Sequence, residues 1–100
     1  MTFEVPRLEL RDEEPGTLVL VGEIDSYTAP MLAERMERGD VDVLDLAGVT
    51  FLDSSGLRLL VDAHQTRADA GSSLLLRSPS APVQRLLEIS GLTGYLDVSS

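Results

Sequence analysis

The chain has 100 residues, of which 43% are apolar and 25% charged, enough apolar side chains for one packed core. It contains no cysteine and one histidine, which excludes a disulfide scaffold, an iron–sulfur cluster, a cysteine nucleophile and a polyhistidine metal site. Its formal net charge of -9 disfavours direct binding of nucleic acid, because the phosphate backbone would be repelled. No apolar run approaches the roughly 20 residues that span a bilayer, and residues 1–4 do not resemble a signal peptide, so we predict a cytoplasmic protein without membrane insertion.

The first third of the chain predicts a β-hairpin. Residues 3–10 alternate loosely between apolar and polar side chains, which is typical of a strand, and residues 12–16 form a charged turn. Residues 17–21 are apolar and partly β-branched, which predicts a central strand buried on both faces that stops at Gly22.

A short helix and a second central strand are predicted next. Thr28 is expected to cap the helix, Pro30 lies in its first turn, and Gly39 follows its end. The helical spacing places four side chains on its buried face: Ala29, Leu32, Ala33 and Met36. Residues 41–46 then predict a strand, and residues 47–56 a loop.

The second half of the chain predicts two more helices, each followed by a strand. One helix follows Gly56 and ends at Gly71, and its buried face carries Leu57, Leu60, Val61, His64 and Ala68. Residues 74–76 predict a buried strand. Residues 78–82 open a third helix with Val83, Leu86 and Leu87 facing inward and Gly91 at its end, and residues 95–98 predict a last short strand.

This alternation predicts the fold class. Strands alternating with helices predict an α/β domain with a mostly parallel sheet of about five strands, opened by an antiparallel strand, with three or four helices. The chain shows neither a repeat nor a linker, so residues 1–100 are predicted to form a single domain. In open sheets of this kind, function is carried by loops after the carboxyl ends of strands. Two loops qualify, residues 22–28 and residues 47–56.

The segment Asp53-Ser54-Ser55-Gly56 lies at a predicted helix start, where backbone N–H groups are unpaired and the helix dipole is positive. A phosphate on Ser54 or Ser55 would be stabilised there, and Gly56 allows the backbone to approach closely. A second interpretation is simpler, because Asp and Ser are preferred N-cap residues. From the residues alone we favour the cap and keep the phosphoacceptor as the alternative.

Three motifs occur in order along nearly the whole chain: GEID at residues 22–25, FLDSSGL at 51–57 and VQRLLEISGL at 83–92. With these motifs at these spacings, the sequence resembles the STAS domain of bacterial anti-sigma factor antagonists. The STAS fold has the mixed sheet and helices that the pattern predicts.

The resemblance implies a partner-switching regulator without a catalytic residue, cofactor or metal site, and not an enzyme. In that family the unphosphorylated domain binds an anti-sigma factor that is also a serine kinase, which sets the sigma factor free. The kinase phosphorylates one serine of the antagonist, which then dissociates, and a protein phosphatase resets it. Carried over to this chain, the phosphorylated residue is Ser54, with Ser55 as the fallback. The phosphosite loop and partner surface further comprise Asp25, Asp53, Ser55, Gly56 and Leu57.

A physical account of the switch follows from the same residues. Phosphorylation adds roughly 1.5 to 2 negative charges and three acceptor oxygens, here beside Asp53 and near Asp25. The helix start offsets the repulsion inside the domain, whereas a partner packed on Ser54 would meet both bulk and buried charge. A loss of about 3 kcal/mol weakens binding more than a hundredfold, and no large conformational change is required.

Some features depart from the family pattern. Members commonly finish with a further carboxyl-terminal helix, whereas this chain ends at Ser100, and we expect that helix either to be missing or to have been lost. Arg58 and Leu59 stand where many relatives have small residues, which would alter the partner surface.

Two other functions remain as alternatives. The first is a STAS adaptor subunit of a lipid or solute transport assembly, in which the serine is only a cap and is not phosphorylated. The second, an enzyme acting on a small anion at the helix start, ranks last because no general base is in reach. His64 does not provide one, because a residue ten positions after Ser54 on a helix is about 15 Å away. We expect His64 to lie at the edge of the core.

Overall fold

A five-stranded sheet and three helices make up residues 7–100, the part of the chain that the computed structural model describes. The strands are β1 (Leu8–Glu14), β2 (Thr17–Ile24), β3 (Val43–Leu52), β4 (Leu75–Arg77) and β5 (Asp97–Ser99). The helices are α1 (Ala29–Met36), α2 (Ser54–Asp69) and α3 (Ala81–Ile89). No helix within these residues is long and apolar enough to span a membrane.

The strands are ordered β1-β2-β3-β4-β5, with β1 antiparallel to β2 and every other neighbouring pair parallel. Each parallel pair is joined through one helix, because parallel strands need a long crossover connection and cannot be joined by a tight turn. The predicted α/β fold, a mostly parallel sheet opened by an antiparallel strand, is confirmed.

The core lies on one face of this sheet. Alternate residues of β2 and β3, among them Leu18, Leu20 and Leu44, are fully buried. The helices contribute the other side of the core through Leu32, Leu60, Val83 and Leu87. The prediction that residues 17–21 are buried on both faces is wrong: Val19 and Val21 point away from the helices and are only half-buried.

The hairpin differs from the prediction at both strand ends. β1 continues through residues 12–14, which were predicted as a turn, and the chain reverses at Pro15-Gly16 instead. β2 continues past Gly22, where φ is 121° and a Cβ would lie 2.1 Å from the carbonyl oxygen of Arg7. Gly22 therefore permits close backbone approach within a strand and does not end it. The predicted strand residues Phe3 and Val5 lie outside the described residues.

The predicted loop over residues 47–56 is the largest error. β3 runs to Leu52, and α2 begins at Ser54, so a single residue connects them. The pairing of β2 with β3 is irregular between Val19 and Val21, where the partners change from Asp45 to Gly48. This irregularity absorbs an extra residue in β3, which interrupts the simple alternation that marks a strand in sequence.

The remaining elements lie within three residues of their predicted places, with one wrong burial prediction. Leu60 is fully buried and His64 is half-buried, both as predicted. Ala68 is exposed. Eight residues after Leu60, it is rotated by about 80° from the direction of that core residue.

Candidate functional site

Asp53 caps helix α2. Its backbone is extended, and its Oδ1 accepts hydrogen bonds from the N–H groups of Ser55 (2.9 Å) and Gly56 (3.1 Å). These are two of the donors that an α-helix leaves unpaired at its start. The capping function that the sequence left open between aspartate and serine therefore belongs to Asp53.

The two serines that follow are in different surroundings. Ser54 is the first residue of α2, its side chain is exposed, and its hydroxyl makes no hydrogen bond to any residue in 7–100. Ser55 is half-buried, and its N–H is held by Asp53. Of the two, Ser54 presents its hydroxyl more openly to solvent.

Gly56 brings the first turn of α2 against the ends of two strands. A Cβ at this position would lie 2.4 Å from a methyl of Leu52 and 2.8 Å from the carbonyl oxygen of Ile24. The sequence analysis predicted that Gly56 allows the backbone to approach a neighbouring group closely. The groups that lie closest are Leu52 and Ile24, at the ends of β3 and β2. The next residue, Leu57, is half-buried against the core.

The preceding strand-to-helix loop is closed by a second aspartate. Oδ1 of Asp25 accepts the N–H groups of Tyr27 and Thr28, each at 2.9 Å. The hydroxyl of Thr28 accepts the N–H of Asp25 (3.0 Å) and donates to the carbonyl of Glu23 (2.8 Å). Thr28 stands at the N-cap of α1 as predicted, but its side chain does not cap the helix because it is engaged within this loop.

Arg7 neutralises Asp25. Its guanidinium forms an ion pair with the second oxygen of Asp25, lies 3.7 Å from the carboxylate of Glu23, and lies 5.6 Å from the ring centroid of Tyr27. The pKa of Asp25 is lowered, chiefly by the Thr28 N–H and further by Arg7, while burial opposes the shift. Asp25 is therefore a paired, inward-facing carboxylate, 7% exposed, and not a free charge beside the serine loop.

The sequence analysis did not find Arg7. The residue is 18 positions from Asp25 in the chain, and only the pairing of β1 with β2 brings them together. An arginine within the predicted first strand was the only available signal.

The two loops meet at one edge of the sheet. The N–H of Asp53 donates to the carbonyl of Ile24 (3.2 Å), which joins the end of β2 to the start of α2. The predicted site residues therefore lie close together at the carboxyl ends of β2 and β3: Asp25 in the loop after β2, Asp53 at the cap of α2, and the others in the first turn of that helix. Two exposed aromatic side chains that the sequence analysis did not select flank them in the chain, Tyr27 (80% exposed) and Phe51 (46%). Within residues 7–100, no three side chains are grouped as ligands for a metal ion.

Comparison with known proteins agrees with this architecture. A family model described as "Mlab, STAS domain" matches residues 9–98. The anti-sigma-B factor antagonist of Listeria monocytogenes is 35% identical over 95 residues, which cover 90% of this chain and 83% of the relative. The chain belongs to the STAS-domain anti-sigma factor antagonist family.

Solved structures have the same fold as this STAS domain. An anti-sigma factor antagonist from Mycobacterium paratuberculosis superposes with a TM-score of 0.72 at 26% identity, covering 91% of this chain and 82% of that one. The Bacillus cell fate determinant SpoIIAA in its phosphorylated form superposes with a TM-score of 0.65 at 20% identity, covering 93% of this chain and 91% of that one.

Proposed function

We propose that this STAS domain is a cytoplasmic anti-sigma factor antagonist controlled by phosphorylation of Ser54. The unphosphorylated form binds a serine-kinase anti-sigma factor through the surface around the start of α2, and the sigma factor is released. The observation that carries this proposal is the exposed, unbonded hydroxyl of Ser54 beside a cap made by Asp53. Within residues 7–100, the hydroxyl of Ser54 holds no hydrogen bond that a phosphate would disrupt.

The phosphorylation step requires ATP, which the kinase partner supplies. The hydroxyl oxygen of Ser54 bonds to the γ-phosphorus, the bond to the departing ADP oxygen breaks, and the hydroxyl proton is released. The product adds roughly 1.5 to 2 negative charges to a surface on which the partner had packed. A protein phosphatase removes the phosphate and restores binding. The domain itself catalyses nothing in this scheme.

The names of the relatives support this assignment. The Listeria protein is called an antagonist of an anti-sigma-B factor, and the SpoIIAA structure is described as a phosphorylated form. A fold of this kind therefore accommodates a phosphorylated state in that protein, as expected if phosphorylation acts through local charge. The net charge of -9 agrees with a protein partner and not with nucleic acid.

A second candidate is the STAS adaptor subunit of a lipid or solute transport assembly. The matching family model is described only as a STAS domain, a description that fits either function. An adaptor requires no free serine at the start of α2, so the state of Ser54 in cells separates the two functions.

The deciding experiment is mass spectrometry of the protein recovered from its native cells. Trypsin releases residues 39–58, which contain both serines. Phosphate on Ser54 supports the switch, phosphate on Ser55 moves the site by one residue, and no phosphate under several growth conditions favours the adaptor.

The charge argument is then tested by measuring how variants of this protein bind the kinase that copurifies with it. We expect Ser54→Asp to weaken binding more than tenfold, and Ser54→Ala to bind normally but to stay bound when ATP is added, since it lacks the acceptor oxygen. Ser73→Asp, an exposed serine beyond the far end of α2, is the matched control and should bind as the wild type does. Full binding by Ser54→Asp would contradict the proposal.

A further inference from the structure

Arg58 lies one helical turn after Ser54 and is held only weakly in its present position. Its side chain is 85% exposed, and its one ion-pair partner within residues 7–100 is Asp62, with 3.9 Å between Nε and Oδ2. That distance is too long for a hydrogen bond, and exposed pairs of this kind contribute little to stability. The guanidinium is therefore free to change partners.

Helix geometry directs Arg58 toward Ser54. Residues four apart lie on the same face of a helix, with Cβ atoms about 5–6 Å apart. Long side chains on a helix lean toward its N-terminus, so that of Arg58 extends over the turn that Ser54 begins. The guanidinium can therefore reach a phosphate on Ser54 by side-chain rotation alone.

The order of charges along the helix favours the phosphate over the present partner. Helix pairs are stronger when the acid precedes the base by four residues, as Ser54 phosphate would precede Arg58. The existing pair has the opposite order, because Arg58 precedes Asp62. A phosphate also carries more charge than a carboxylate, and a planar guanidinium can donate two parallel hydrogen bonds to its oxygens.

We propose that Arg58 is the internal counter-ion of phosphorylated Ser54 and exchanges Asp62 for the phosphate when the serine is modified. This inference rests on the proposed function and concerns the regulation of the same site. Among the other charged groups near the helix start, Arg85 shares a surface hollow with Phe51 and Leu52 but lies on α3, not one turn after Ser54 on the same helix. Asp53 is an acid, and Arg7 is already paired with Asp25 and Glu23.

The exchange makes the phosphorylated state more stable within the domain. It neutralises part of the phosphate charge next to the helix start, and it makes the Arg58 guanidinium less available to a partner. A phosphate beside a cation also loses its second proton at a lower pH than an isolated one.

The test is a ³¹P NMR titration of the full chain with phosphoserine genetically encoded at position 54. The second pKa of phosphoserine, about 6 in isolation, should be about half a unit lower in the wild type than in Arg58→Gln. Arg38→Gln, which alters another exposed arginine beyond the carboxyl end of α1, should titrate like the wild type. The difference should shrink in about 1 M NaCl.

Equal pKa values for the wild type and Arg58→Gln would overturn the inference, as would an equal shift in Arg38→Gln. Because Arg58 is exposed, the unphosphorylated Arg58→Gln protein should unfold at the wild-type temperature, which checks that its fold is intact. The titration needs neither kinase nor partner. A lowered phosphoserine pKa, with no phosphate found on the protein in cells, would support this ion pair and contradict the proposed function. Phosphate on Ser54 in cells, with equal pKa values in the two proteins, would support the proposed function and contradict the ion pair.

Discussion

The two connections at the carboxyl ends of β2 and β3 contain the same aspartate turn but differ in how many of their polar groups are bonded. In each, an aspartate follows a strand and accepts the N–H groups of the residues two and three positions later: Asp25 in the first loop and Asp53 in the second. The first loop is closed, because Thr28 and Arg7 bond the remaining atoms of Asp25. The second loop is open, since the hydroxyl of Ser54 makes no hydrogen bond to any residue in 7–100.

The position of the helix start explains why the two loops differ. A serine follows each aspartate, and both Ser26 and Ser54 are exposed. Helix α1 begins four residues after Asp25, so Ser26 lies outside it, whereas α2 begins at Ser54 itself. Only Ser54 therefore combines an exposed hydroxyl with a helix dipole and an arginine one turn later. Because Asp53 makes the cap, the hydroxyl of the serine beside it is not needed for capping.

The largest effect is expected where the second loop contacts the sheet. Gly56→Ala should lower the free energy of unfolding by about 3 kcal/mol, because its Cβ would overlap Leu52 and the backbone of Ile24. Gly94→Ala is the matched control, since a Cβ there meets nothing within 4 Å, and it should change stability by less than about 0.5 kcal/mol. Urea denaturation of both variants measures the difference. Equal stabilities would mean that α2 can shift away from the sheet.

The contribution of Asp25 in the closed loop to the stability of the fold should depend on pH. The folded-state pKa of Asp25 lies below its ordinary value of 3.8, so its ionised form stabilises the fold above about pH 4, and this contribution is lost as the pH falls through the folded pKa. Asp25→Asn should therefore be less stable than the wild type at neutral pH, with the gap narrowing in acid. Denaturation between about pH 7 and 3 tests this.

Asp97→Asn, an exposed aspartate on β5, serves as the control for Asp25→Asn and should follow the wild type across the same range. A gap between the wild type and Asp25→Asn that stays constant with pH would show that the ionised carboxylate is not what stabilises the loop.

The smallest effects distinguish the cap from the free serine. Asp53→Ala should lower the free energy of unfolding by about 1 kcal/mol, because two N–H groups of α2 lose their acceptor. Ser54→Ala should change stability by less than about 0.5 kcal/mol, since its hydroxyl holds nothing in the described residues. Thermal or urea unfolding compares the two variants. A cost for Ser54→Ala as large as that for Asp53→Ala would assign the cap to the serine.

Local patterns in the sequence were sufficient to predict the fold and to select a candidate site at a helix start. Apolar alternation and helical spacing depend on residues close in the chain, so the element order and the buried Leu60 could be read directly. The mostly parallel sheet opened by an antiparallel strand could be predicted because strands joined by helices are usually parallel neighbours. The segment Asp53–Gly56 was identifiable because a helix start has a characteristic composition.

Tertiary structure decided the features that join residues far apart in the chain. The pairing of Arg7 with Asp25 depends on the register of the hairpin, and the extension of β3 to Leu52 depends on an irregular pairing with β2. The choice of Asp53 over Ser54 as the cap required the path of the backbone between β3 and α2. Sequence by itself determined which segments become strands and helices, because short-range patterns specify them. The contacts that neutralise Asp25 and leave Ser54 free arise only when the sheet brings separate segments together.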